Sequence, residues 1–201
     1  MKKEEFYEIK TILETNGFVC QAQDVSQARL NQVEHIVFRN EKGFTVEVHL
    51  NIMGNRSHLR SEMGDCFQNV FDRTQTISVR DVELTIMNQE DHYVYLIMHA
   101  FKHFIECGVG VRQILDILIF QKFLDKGFDW SKLQDILKQY HLDKFLGDIQ
   151  CIGTQYLGFK FESILPSCSP EELLCDVIQA GAFGKKDKAA LLAVNITTGE
   201  L

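Results

Sequence analysis

Hydrophobic positions recur at helical spacing in the first half of Asn88–Leu124, where Val94, Ile97, Met98, Phe101, Phe104 and Ile105 fall on one side of a helix. Wound at about 100° per residue, the opposite side gathers His92, His99, His103 and Glu106. Gly108-Val109-Gly110 interrupts the pattern. A second helix is predicted over Val111–Leu124, apolar nearly all round as a central buried helix would be. Its exceptions are Arg112 and Asp116, one turn apart. A buried acid needs a partner, and Arg112, His99 or His103 could supply one, so a polar cluster between two apolar helices is expected.

Upstream the period changes. Lys2–Asn16 predicts an amphipathic helix with Phe6, Ile9, Ile12 and Leu13 as its inner stripe, stopped by Gly17. Phe18–Gln23 reads as a short strand and Asp24–Asn31 as polar and irregular. His35–Asn40 and Phe44–Ile52 form a hairpin around Glu41-Lys42-Gly43. In its second strand Phe44, Val46, Val48 and Leu50 alternate with Thr45, Glu47, His49 and Asn51, so one face packs on a core and the other meets solvent or a site. Gly54–Asp72 reads as a polar loop, and Thr76–Val79 with Val82–Ile86 as a second hairpin turning at Arg80-Asp81. Asn88 caps the first long helix. Further helices follow over Asp129–Tyr140, Leu142–Leu157 and from Ser169-Pro170-Glu171-Glu172 to about Ala180. The fold class is α+β, a small, mostly antiparallel sheet with one leading helix followed by a C-terminal helical bundle. The expected domains are 1–87 and 88–184, with a weakly ordered tail over 185–201.

Composition narrows the class. The 201 residues carry a formal charge of -7, which argues against general nucleic-acid binding and against an anionic membrane surface. Six cysteines show no C-x-x-C pair or metal-ribbon spacing, so free thiols in a reducing cytoplasm are expected. No run approaches the roughly 20 apolar residues of a membrane helix, and Met1–Lys10 does not read as a signal peptide.

Two places could carry chemistry. Glu47 and His49 share the non-core face of one strand, where a carboxylate could hold Mg²⁺ against phosphates; a plainly solvated face fits the same pattern. His99 and His103 have the spacing with which two imidazoles grip one metal, with Asp116, Glu106 or Cys107 as a third ligand, or they hydrogen-bond Asp116 and join two helices. No Walker loop, G-x-S-x-G or G-x-G-x-x-G is present.

The order of short motifs resembles a family, the poorly characterised bacterial nucleotidyltransferase-like proteins of the DNA-polymerase-β superfamily. The resemblance runs through Asn16-Gly17-Phe18, Glu47-Val48-His49, His99 through His103, Arg112 through Asp116, Asp129-Trp130 and Gly181-Ala182-Phe183-Gly184, about residues 4–184. It implies transfer of a nucleotidyl group from a nucleoside triphosphate to an acceptor with Mg²⁺. Glu47 would be the third metal carboxylate and His49 would orient it or a phosphate. His99, His103, Arg112 and Asp116 would form a cluster facing the cleft or the acceptor. The family's Gly-Ser segment and Asp-x-Asp strand are absent from these residues. One carboxylate cannot set two-metal geometry, so a truncated and inactive form is expected. Two other readings stand beside it: a scaffold that recruits a partner chain or itself through an open sheet edge, and a metal-binding protein using His99 and His103.

Overall fold

The computed structural model describes residues 3–54, 58–124, 126–162 and 164–182. The tail expected over 185–201, with Phe183 and Gly184, lies outside the described residues. The fold is α+β, with small antiparallel sheets of three and two strands and a helical C-terminal part. The described chain divides into two compact units, the first ending at Gln68 and the second starting at Asn69.

In the first unit a 3-10 turn, Lys3–Glu5, leads into α1, Phe6–Thr15. Gly17, at φ 81, turns the chain into β1, Phe18–Cys20. Phe6 is fully buried, but Ile12 is 54% exposed and does not belong to the inner stripe. The stretch after β1 is not irregular throughout. Ser26 Oγ accepts from Arg29 N and starts the single turn α2, Gln27–Leu30, which delivers Leu30 to the core. Next come β2, His35–Asn40, and β3, Thr45–His49, in sheet order β1-β2-β3. Asn40 Oδ1 accepts from Phe44 N at 2.9 Å, and Gly43 holds φ 83, so the turn is built from side-chain capping and a left-handed glycine. Phe44 therefore sits in the turn and is 65% exposed rather than on the core face. Ile36, Phe38, Val48 and Leu50 face inward against Phe6 and Leu30. The expected loop over 54–72 contains α3, His58–Asp65, and a 3-10 turn, Val70–Arg73, with Met63, Phe67 and Val70 buried.

The second hairpin, β4 Thr74–Val79 and β5 Val82–Met87, falls in the second unit with the helices. Arg80 and Asp81 both take positive φ, the turn whose twist matches the flanking strands. Asn88 Oδ1 accepts from Asp91 N at 2.8 Å and starts α4, Gln89–Glu106. Then follow α5, Val111–Lys122; α6, Trp130–Gln139; α7, Asp143–Tyr156; and α8, Pro170–Ala180. Phe101, Phe104 and Phe145 pack together in tilted and edge-to-face pairs, with ring centroids 5.1 to 6.3 Å apart. A buried polar chain crosses this core: Tyr93 Oη donates to Gln121 Oε1, Gln150 Nε2 donates to the same oxygen, and Gln150 Oε1 accepts from Leu165 N.

The α5 helix departs from expectation. Ile114, Ile117 and Leu118 are buried, yet Ile119 is 45% and Phe123 73% exposed, so it buries one face only. At the start of α8 the Ser169 side chain makes no capping bond. Asp148 of α7 takes that role, accepting from Cys168 N at 2.7 Å and Ser169 N at 3.1 Å. All six cysteines are free thiols, and no helix among the described residues is long and apolar enough to cross a membrane.

Candidate functional site

The β2–β3 hairpin sorts its side chains by alternation. Antiparallel register places His35 opposite His49 and Val37 opposite Glu47. Since Ile36, Phe38 and Val48 face the core, His35, Val37, Glu47 and His49 share the other face. Glu47 and His49, the two residues expected on this face, meet there: His49 Nε2 lies 3.4 Å from Glu47 Oε2. The Glu47 side chain is 52% exposed, while that of His49 is partly covered at 29%.

His49 has a second neighbour that the sequence reading missed. The His35 ring lies 5.1 Å from the His49 ring, centroid to centroid. Glu34, just before β2, is fixed by its carbonyl, which accepts from Leu50 N at 2.8 Å and Asn51 N at 3.2 Å. One ligand-type atom from each of Glu34, His35 and His49 lies within 4.8 Å of the others. The hairpin itself held the signal. With its turn centred on Lys42, residues equidistant from 42 pair, and 35 falls opposite 49.

Burial first, and then the neighbouring His35, lower the pKa of His49 from its ordinary 6.5, against a smaller opposing pull from Glu47. A histidine lowered in the fold contributes stability that is full above pH 6.5 and lost as pH falls through its folded value. The His49 ring protons are therefore expected to titrate below the ordinary histidine value of 6.5, measured by NMR between pH 7.5 and 4.5.

Within the second group of expected site residues two pairs form. His99 and His103 lie one turn apart on α4, Nε2 to Nε2 3.3 Å, and His103 Nδ1 is 3.3 Å from Cys107 Sγ. Tyr95 stacks on His99 with ring centroids 5.2 Å apart. Arg112 and Asp116 form an ion pair at 4.0 Å with side chains 72% and 53% exposed. The acid inside Ile114–Phe120 is thus not buried, and the expected buried polar cluster is a solvated i,i+4 pair. Asp116 falls on the side of α5 away from Ile114, Ile117 and Leu118, where a charge costs little.

Comparison with known families decides what kind of protein this is. A family model described as uncharacterised nucleotidyltransferase matches residues 1–158, most of the chain. The chain belongs to that family. The matched residues include the β2–β3 hairpin, α4, α5 and α6, whereas α8 and Gly181-Ala182 lie beyond them. No curated protein and no solved structure matches the chain. Family membership makes the chain nucleotidyltransferase-like, with a nucleoside triphosphate as the substrate class that membership suggests.

Proposed function

We infer that the polar face of β2–β3 is the part of a nucleotidyl-transfer site that these residues carry. Glu47 would be the third carboxylate of a Mg²⁺ site holding the triphosphate, and His49 would orient that carboxylate through the contact at 3.4 Å. The observation that carries this reading is the open side of β3. Among the described residues β3 pairs with β2 alone, so the strand bearing Glu47 has a free edge. A neighbouring Asp-x-Asp strand would belong at such an edge.

The residues present do not fit Mg²⁺ by themselves. Mg²⁺ demands near-octahedral oxygen coordination, and β2 and β3 together supply one carboxylate, Glu47, with an imidazole beside it. What these side chains can do is place one oxygen donor and hold its orientation. Two-metal in-line transfer needs further acids, and no Asp-x-Asp pair occurs in these 201 residues. The chain alone is therefore expected to transfer no nucleotide. Incubation with labelled nucleoside triphosphates and Mg²⁺ checks this; incorporation abolished by Glu47→Gln would overturn the inactivity while keeping the site.

A second reading rests on the same free edge: an open strand recruits a partner strand, from another protein or another copy of this chain. A monomer by light scattering at concentrations well above micromolar would count against it.

A further inference from the structure

We propose that Glu34, His35 and His49 form a binding site for a divalent transition metal of the zinc type, beside the carboxylate assigned to Mg²⁺ and joined to it through the Glu47–His49 contact. Two imidazoles and one carboxylate are the ligand types of open three-protein-ligand zinc sites, in which the fourth position is left to water or a substrate atom. Imidazole selects such metals over Mg²⁺, which takes oxygen.

The geometry is close to what a metal requires. A tetrahedral ion with metal–ligand bonds of about 2.1 Å sets its ligands about 3.4 Å apart. The ligand-type atoms here lie within 4.8 Å of one another, so closure needs side-chain rotation and no backbone movement. The backbone is already fixed: His35 and His49 are opposite one another in the ladder, and the Glu34 carbonyl is bonded to two successive amides after β3. An antiparallel hairpin therefore presents the two rings at one level, from strands that cannot slip without turning Val46 and Val48 outward.

Two observations point to a ligand rather than to three neighbours that happen to meet. His35 Nδ1 is buried and has no hydrogen-bond partner among the described residues. A buried polar atom in that state costs stability, and a metal ion would satisfy it. The second is Glu47, whose carboxylate lies 3.4 Å from His49 Nε2. Histidines that ligate a metal through one nitrogen commonly give the other N–H to a carboxylate, which fixes the tautomer and the ring. Glu47 is so placed, and it acts here as a positioning residue for His49.

The proposal does not rest on nucleotidyl transfer, because its test reads metal and not product. The full chain, stripped with chelator, is titrated with Zn²⁺ and separately with Co²⁺ in the presence of excess Mg²⁺. One equivalent is expected to bind, and the Co²⁺ form to show the visible bands of a tetrahedral ion. Glu34→Gln, His35→Gln and His49→Gln should each weaken binding about a hundredfold or more, and Glu47→Gln by about ten- to a hundredfold as an outer partner does. His99→Gln should leave it unchanged. Circular dichroism confirms that each variant is folded, and Glu34→Gln, a partly buried near-isostere, keeps the test valid if a histidine variant is not. Binding lost in His99→Gln and kept in His35→Gln would move the metal to α4 and overturn the proposal. Failure of Zn²⁺ to bind the folded wild-type chain would also overturn it.

Discussion

Gly147→Ala is expected to destabilise the helical unit by about 3 kcal/mol, at the upper end of what overpacking a core costs. Gly147 is buried on α7, and a Cβ there would run into the Pro166 carbonyl and stand 2.9 Å from Leu165 O. Both obstacles are backbone, so no rotamer change can yield the space. The approach has a purpose: Leu165 N donates to Gln150 Oε1 at 2.8 Å, and Cys168 N and Ser169 N donate to Asp148. Gly147, Asp148 and Gln150 together dock the segment that leads into α8. Trp130, the single tryptophan, packs on Tyr93 and Phe128 in the same unit and reports its unfolding in urea. The expected result is a lower midpoint at unchanged slope. Gly127→Ala, in open space in the same unit, serves as the control and should stay within about 0.5 kcal/mol of the wild type.

Asp148→Ala is the second large effect, expected to cost about 2–3 kcal/mol at pH 7, because two backbone N–H groups lose their acceptor in a buried place. Asp148→Asn behaves differently. Burial, the larger influence, raises the Asp148 pKa above its ordinary 3.8, although the Cys168 and Ser169 N–H groups pull it down and Glu171 pushes it up. Its Oδ2 has no hydrogen-bond partner among the described residues. An acid raised in the fold contributes stability present below its unfolded pKa and lost as pH rises through the folded value. At neutral pH the carboxylate therefore carries a cost that the amide avoids while keeping one acceptor oxygen. Asp148→Asn is expected to cost little at pH 7, and the wild type should gain on it as pH falls toward 4. Urea midpoints of both variants at pH 7 and pH 4.5 check the pair; equal losses for Ala and Asn at pH 7 would contradict the role given to Oδ1.

Long periodic segments were legible in the sequence because their burial is one-sided and extended. The α4 helix with its Asn88 cap and the β2–β3 hairpin follow directly from spacing. Short elements were not: α2 has four residues, and α3 has only Leu59 and Met63 as apolar positions, too few to establish a period. The α5 helix misleads because Val111, Ile119 and Phe123 are apolar yet exposed, and apolar residues are common on protein surfaces. That misreading also placed Asp116 in the core. The acid that is buried, Asp148, had a signal: it stands three residues after Phe145 and four before Ile152, on the buried stripe of α7. For the candidate site, Glu47 and His49 were visible from alternation alone. Finding His35 required carrying the hairpin register across the turn, and finding Glu34 required the backbone pairing beyond the end of β2.

The central claim is that Glu47, on the open-edged strand β3, is this chain's contribution to a nucleotidyl-transfer site. Its most direct test joins this chain to a strand segment bearing Asp-x-Asp and measures Mg²⁺-dependent binding and turnover of labelled nucleoside triphosphate. The account predicts that the fusion binds the nucleotide where the chain alone does not, and that Glu47→Gln lowers its turnover about a hundredfold or more. Turnover indifferent to Glu47→Gln, or a fusion that binds nucleotide no better than the chain alone, would contradict it.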